Sequence, residues 1–399
     1  MTMKMCRNIL GVLGALLLTV LMGCVEEFDA EFSDMPTEGL VVEGNIISDS
    51  TIVFQLSKTL PLDKIKDNVD LFNSFTDVNA ELSVKGSDGT SWRGYGLGKG
   101  KYQVEVGVLQ PDVDYYLEIS YQGETYQSEP QKPLPMRKIE KLEFKQPDLE
   151  GPVSILLDTE EGDKGQEDYY LWFFEEDWEV RTHFATTALY DPWLNTVVHY
   201  PYPPVAQGWC YYGTDRILLG ETESNTTNKI VGRTIKTIKN TDPRLSFLYS
   251  IRVQQRNLSR QEYEYYQVRS KLNNEMGGLF TPQPSELPTN ITCSNPSRKV
   301  IGYVGCNMGI AYHQLYISEK DVFYVDNYIC DAGKDPAGSY LDKFAAGFQV
   351  CDVLFDNSLE WAKIGCVDVR HYNADPQGRP SWWPNPYKYY KEEQDANDK

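Results

Sequence analysis

Through most of the chain, apolar and polar residues alternate over short stretches separated by turn residues. Leu40-Val41-Val42-Glu43-Gly44-Asn45-Ile46-Ile47 is rich in β-formers. In 51–56 the apolar residues Ile52, Phe54 and Leu56 recur at every second position, the period that puts them on one face of a strand. Further strands are predicted at 78–85, 102–106, 115–121 and 124–127, with Asp88-Gly89 and Gln122-Gly123 as hairpin turns. No helical period intervenes. Short strands at turn-punctuated spacing predict an antiparallel β-sandwich of immunoglobulin or fibronectin type over residues 39–136.

Pro130, Pro133 and Pro135 interrupt this pattern and predict a short stiff linker. A larger β-rich domain follows over 137–384, opening with Ile139, Leu142 and Phe144. It holds one predicted short helix. Ser259 and Glu262 have capping-box spacing, Leu258 and Tyr263 stand at staple positions, and Tyr265, Val268 and Leu272 form one apolar stripe. Gly277-Gly278 should end it. Residues 385–399, rich in Lys, Glu, Asp and Asn, are expected to be a disordered tail. The fold class predicted is mostly β.

The first residues follow a different pattern. Lys4 and Arg7 precede the uncharged apolar run 9–22, which is short for a membrane span of about 20 residues and suits a signal sequence. The run ends in Leu21-Met22-Gly23-Cys24, the L-x-G-C pattern of a lipoprotein signal. Residues 1–23 are therefore read as a signal peptide, Cys24 as the lipidated residue and 24–38 as an acidic tether. The lipid would be the membrane attachment. Val25-Glu26-Glu27-Phe28-Asp29 resembles the surface-export signal of Bacteroidota lipoproteins, which implies the outer membrane and the cell surface.

Composition narrows the function classes. With 41% apolar and 24% charged residues the chain is globular, and a net charge of −20 repels phosphate backbones, so nucleic acid is not an expected partner. The cysteines beyond Cys24 are Cys210, Cys293, Cys306, Cys330, Cys351 and Cys366, an even set that in an oxidising compartment predicts disulfides. Six cysteines allow fifteen pairings, and the spacing selects none. No zinc-type C-x-x-C pair, G-x-S-x-G, P-loop or H-E-x-x-H occurs, and His183, His199, His313 and His371 are scattered. No catalytic residue, metal site or cofactor is assigned, and the chain is not expected to be an enzyme. The carboxylate runs Glu175-Glu176-Asp177 with Glu179, and Asp158 to Asp168, are read as solvated loops.

Aromatic density is the remaining local signal. From Tyr169 to Tyr212, 14 of 44 residues are Phe, Trp or Tyr, against 50 in 399 overall, an enrichment of about 2.5-fold. The run 169–174 reads as a fully buried strand, whereas 190–193 and 200–204 read as loops. Loop aromatics suit stacking on a ligand or anchoring a protein. Tyr190, Trp193, Tyr200, Tyr202 and Trp209 are therefore the candidate binding surface. The alternative is that these rings pack a long loop onto the domain's own sheet.

Several segments resemble one Bacteroidota lipoprotein family, the domain of unknown function 4249. They are Leu40-Val41-Val42-Glu43-Gly44; Gln255-Arg256-Asn257-Leu258-Ser259 leading to Tyr263-Glu264-Tyr265-Tyr266; Gly278-Leu279-Phe280; Pro288-Thr289-Asn290-Ile291; and Val300-Ile301-Gly302-Tyr303. Cys366-Val367-Asp368-Val369-Arg370 with Gly378, Pro380 and Trp382-Trp383 resembles the family's closing C-x-x-C-R…P-x-W pattern, except that Val369 stands where its second Cys is expected. The resemblance implies an outer-membrane lipoprotein encoded beside a TonB-dependent receptor, with no catalytic residues to carry over. An accessory or ligand-capture role in nutrient uptake follows from it. The alternative is a structural or assembly lipoprotein of an outer-membrane complex, without a small ligand.

Overall fold

The computed structural model describes residues 39–59, 75–200, 205–214, 216–223, 225–275, 287–333 and 337–384. The signal 1–23, Cys24, the tether 24–38, Tyr202, Gly277-Gly278 and the tail 385–399 lie outside the described residues.

The chain is mostly β. Its first strands are β1 (Leu40–Glu43), β2 (Ile46–Ile47), β3 (Ser50–Lys58), β4 (Glu81–Gly86), β5 (Ser91–Gly98), β6 (Lys101–Val106), β7 (Tyr115–Tyr121) and β8 (Glu124–Ser128). There follow β9 (Ile139–Lys145), β10 (Val153–Thr159), β11 (Tyr169–Arg181), β12 (Ala188–Asp191), β13 (Thr196–His199), β14 (Gln207–Gly213), β15 (Leu218–Glu221), β16 (Arg233–Ile238) and β17 (Leu248–Leu258). Helix α1 (Arg260–Glu275) leads to β18 (Ile291–Cys293), β19 (Val300–Gly302), β20 (Cys306–Asn307) and β21 (Ala311–Ser318). Helix α2 (Tyr340–Ala345), β22 (Phe348–Val353) and β23 (Leu359–Lys363) close the order.

One nine-stranded sheet has the order β18-β8-β7-β4-β5-β6-β3-β1-β19. Its buried residues from both halves, among them Val42, Phe54, Leu56, Val84, Val104 and Leu117, form a single core. Strand β5 joins the halves: Ser91 to Arg93 pair with β4, and Gly94 to Gly98 pair with β6. At the handover a side chain on Gly94 would meet Leu82 Cδ2 at 3.0 Å and the Leu82 carbonyl oxygen at 3.2 Å. The edge strands β18 and β19 come from far along the chain, so residues 291–302 complete the sheet begun at Leu40. Strand β19 runs parallel to β1, and Gly302 (φ +136°) lies so close to Val42 that a Cβ would overlap the Val42 carbonyl oxygen. Asn290, buried, pins this return. Its amide donates to the Val304 carbonyl and accepts from the Val304 N–H, both at 2.9 Å.

Two further sheets face one another. The order β16-β10-β9 packs Val153, Ile155 and Leu157 against Tyr170, Trp172, Tyr249 and Ile251 of a five-stranded sheet, β14-β11-β17-β21 with β15 beside β11.

The end of β17 ties these sheets to the first. Gln255 accepts from Trp172 Nε1 (2.9 Å) and donates to the Arg137 carbonyl (3.0 Å). Asn257 accepts from the Arg137 N–H through its side chain (3.2 Å) and from Asn307 Nδ2 through its carbonyl (2.8 Å). Between them Arg256 donates to Glu262 (2.7 Å), Asn307 (3.2 Å) and the Tyr266 hydroxyl (3.3 Å). The linker is fixed in turn, since the Leu134 N–H donates to the Cys306 carbonyl and its own carbonyl accepts from Met308.

The helix start differs from the expected capping box. Ser259 Oγ accepts from the Glu262 N–H at 3.1 Å, but the Glu262 carboxylate turns inward to Arg256 instead of back to Ser259. Glu262 is fully buried and Arg256 is 5% exposed, so the pair is a desolvated one. Removing one partner strands the other charge. Glu262→Ala is expected to lower unfolding stability by about 3–5 kcal/mol, whereas Arg256→Met with Glu262→Leu costs far less. Urea titration of both variants checks this; equal losses would show that the pair is not what holds the junction.

Candidate binding surface

Residues 190–193, expected to be a loop, belong to a hairpin: Tyr190 and Asp191 end β12, and Pro192 and Trp193 begin its turn to β13. Its turn is built by side chains. Asp191 Oδ1 accepts from the N–H groups of Trp193 (2.8 Å) and Leu194 (3.1 Å), and Asn195 takes a left-handed backbone (φ +50°). The Tyr190 hydroxyl donates to Asn195 Oδ1 at 2.8 Å. This turn leaves Trp193 95% exposed and Leu194 67% exposed.

Two residues of the expected surface are core residues. Tyr190 is 2% exposed, its ring 5.8 Å from Phe344 and 6.2 Å from Trp361. Its backbone is held by Gln349, which accepts from the Tyr190 N–H (2.8 Å) and donates to the Tyr190 carbonyl (3.1 Å). Trp209 is 9% exposed in β14 and packs with Leu248 and Trp383. Neither follows from alternation: Ala188, Leu189 and Tyr190 are all buried, as are Gly208, Trp209 and Cys210, because the chain's C-terminal residues cover the faces that these strands would otherwise leave open. Trp193 and Tyr200 do reach the surface, Tyr200 at 38% exposure.

Beneath the hairpin lies a groove of about 430 Å³, bounded by Trp193, Tyr200, Phe344, Gln349, Arg370 and His371. Arg370 is clamped by Asp368 through a fork of contacts at 2.6–3.1 Å, with Asp368 buried and the guanidinium outward. That contact raises the Arg370 pKa. The groove therefore offers flat aromatic surface, a fixed cation and an imidazole: groups that stack on a ring and hydrogen-bond to acceptors.

Of the six cysteines expected to pair, Cys330 and Cys366 form a disulfide, while Cys210, Cys293, Cys306 and Cys351 are free. Cys210 and Cys351 lie in separate clusters, and Cys293 and Cys306 pack in the first core. Burial pushes the Cys210 and Cys351 thiols up to about 11 and Cys306 to about 12, which keeps them protonated and unreactive. The bond ties Cys330 to Cys366, which lies in the chain between the groove residues Ile364 and Asp368.

The run from Glu175 to Glu179 is not a loop. It is the second half of β11. Glu176, fully buried, accepts from Lys236 (2.9 Å), Arg244 (3.2 Å) and the Tyr249 hydroxyl (2.7 Å). Glu179, also buried, accepts from Arg181 (2.8 Å), Trp383 Nε1 (3.2 Å) and Gln207. The 169–174 half is buried as expected apart from Phe173, 38% exposed. Alternation through the carboxylates was the signal that could have found the whole strand. The other run starts inside β10 at Asp158 and continues as a loop beyond it, held by Arg137 on Asp163 (2.6 Å) and Asp168 (3.6 Å).

Among the described residues no group of three or more His, Cys, Asp or Glu could hold a metal ion, and no helix is long and apolar enough to cross a membrane. His183 contacts Asp326 at 3.0 Å, and His371 alone of the four histidines borders the groove.

A family described as Domain of unknown function (DUF4249) matches residues 25–307. The chain belongs to that family. No curated protein matches it. The match takes in all three sheets except β21, and with them the buried junction at Arg256. It stops short of the disulfide, Arg370 and His371, so the closing residues from Cys366 to Trp383 lie beyond it.

Closing a loop of sequence separation 36, the disulfide contributes about 4 kcal/mol by loop entropy. Cys330→Ser with Cys366→Ser is expected to lose that amount in thermal unfolding. Peptide mapping after denaturing alkylation should find Cys330 linked to Cys366 and label at Cys210, Cys293, Cys306 and Cys351.

Proposed function

We propose that this chain is a surface-exposed outer-membrane lipoprotein that serves a TonB-dependent receptor as a non-catalytic accessory in nutrient uptake. The observation that carries the reading is Trp193, an indole held almost fully in water by a side-chain-built turn at the mouth of a groove. The turn already fixes its backbone, so covering the indole costs only the ordering of one side chain against a large area buried, which makes it an efficient anchor. The lipobox at Leu21 to Cys24 supports the membrane address, and a tether of residues 24–38 could span up to about 50 Å if extended. That reach would let the groove work against a receptor beside it. The aromatic and guanidinium groups favour a ligand with ring faces and hydrogen-bond acceptors, or a loop of the receptor with the same features.

The test is affinity purification of the tagged full-length chain from detergent-solubilised outer membranes. A TonB-dependent receptor should co-purify in stoichiometric amount, and Trp193→Ala should weaken its retention about tenfold or more with thermal stability unchanged. Recovery of barrel-assembly machinery instead would favour the structural or assembly role. Retention unaltered by Trp193→Ala would remove the groove from the reading.

A further inference from the structure

Strand β11 has a second face. Its even-numbered residues enter the core shared with β9, β10 and β16, while the odd-numbered ones lie on the opposite side. On that side α1 covers Tyr169 and Leu171 at one end, and Trp383 covers Glu179 at the other. Between them the face is open. Register places Tyr211, Asp177, Ser250 and Tyr316 in one row across β14, β11, β17 and β21. The next row holds Glu175, Arg252 and Gln314, and the third holds Phe173 and Tyr312.

Tyr211 and Tyr316 flank this row on strands roughly 14 Å apart across three strand spacings. Between them lie the half-buried Asp177 and the small Ser250, which is buried and accepts from Gln314 Nε2 at 2.9 Å. Glu175 is paired with Arg252 and receives the Tyr211 hydroxyl at 3.4 Å. Asp177 has no hydrogen-bond or ion-pair partner among the described residues, although it is half-buried. A half-buried carboxylate with no direct partner, repelled by Glu175 and only partly compensated by the more distant charge of Arg252, is an energetic cost that a cation would relieve. Around it Tyr211 (64% exposed), Tyr312 (57%) and Phe173 supply flat apolar area of the composition found at protein interfaces. A broad sheet face of this kind suits a protein better than a small molecule, which takes concave sites.

We propose that this face docks a protein partner that inserts a lysine or arginine side chain between Tyr211 and Tyr316 onto the Asp177 carboxylate. The surface is separate from the groove below Trp193, and it stands whether or not the receptor reading holds. The groups facing Asp177 are Glu175 on its own strand, Arg252 on β17, Tyr211 on β14 and Tyr316 on β21. Burial first, and then repulsion from Glu175, raise its carboxyl to about 6. The cation needs the ionised form, so docking is full at pH 7.5 and falls as the pH drops through 6.

The test places a benzophenone photo-cross-linker at Tyr312 of the full-length protein in intact outer membranes, alone and with Asp177→Asn or Asp177→Glu. The expected result is an adduct to a single protein, with a lysine or arginine in the cross-linked peptide. Its yield should fall at least fivefold in Asp177→Asn, hold in Asp177→Glu, and fall at pH 5 in the parent protein. Asp177→Asn removes no bond, so its thermal stability should equal or exceed the parent's; a clear loss would assign Asp177 a structural role and overturn the proposal. It is overturned equally by no adduct, by a yield indifferent to Asp177→Asn, by an adduct peptide without a basic residue, or by an adduct confined to the chain's own residues 385–399.

Discussion

The buried polar residues at the end of β17 are the constraint on which the rest of the molecule depends. Apolar packing is non-directional, and two sheet systems with separate cores could sit together in many ways. Gln255, Arg256 and Asn257 permit only one, because each must find its hydrogen bonds inside the protein once water is excluded. Those partners come from the linker at Arg137, the helix at Glu262 and Tyr266, and β20 at Asn307. A shift of either system would leave several buried donors and acceptors unpaired at about 1–3 kcal/mol each. The junction therefore sets where residues 291–307 can return to the first sheet.

From the same strand pair, β11 carries consequences outward. Period-two alternation gives one strand two environments, and the carboxylates use both. Glu176 neutralises Lys236 and Arg244 in the facing core, where those cations also lie over Phe174, Trp178 and Tyr212. Glu179 fixes Trp383, which is how the end of the described chain is fastened to the sheet. Asp177 lies between, without a hydrogen-bond or ion-pair partner among the described residues, and Glu175 pairs with Arg252 across the strand. The four carboxylates of one strand are thus two buried pegs, one surface pair and one free charge, and only their neighbours tell them apart.

Local period made the strands at 51–56 and 115–121 legible, because one face of each is buried and the other wet. It missed β5, where Gly94, Gly96 and Gly98 occupy alternate positions and remove the apolar signal. It found the helix at Ser259 but assigned Glu262 to the cap, since nothing local reveals the arginine six residues earlier folding back on it. The return of β18 and β19 was beyond reach for a related reason: Ile291 pairs with Ser128 and Val300 with Leu40, and such separations leave no trace in a window of ten residues. The cysteine count fixed neither which two residues meet nor that four stay free, two of them in the first core and two in separate clusters. In the candidate surface, exposure of Trp193 was legible from the Asp-Pro-Trp turn residues. Burial of Tyr190 and Trp209 depended on tertiary contacts over 150 residues away, at Gln349 and Trp383.

The reach of the family match divides the molecule physically. The three larger sheets, apart from β21, and the whole of the Arg256 junction lie within it, so the matched segment contains both sheet systems and the polar residues that join them. The groove straddles the boundary. Its Trp193 and Tyr200 come from a hairpin inside the match, whereas Phe344, Gln349, Arg370 and His371 come from the segment after it, stapled by Cys330–Cys366. A hairpin tip alone gives an exposed ring without walls. It is the C-terminal segment that turns that ring into one side of a cavity and adds the clamped guanidinium. A ligand in this groove would thus meet two sources of side chains, the hairpin of the matched segment and the walls that Phe344, Gln349, Arg370 and His371 add to it.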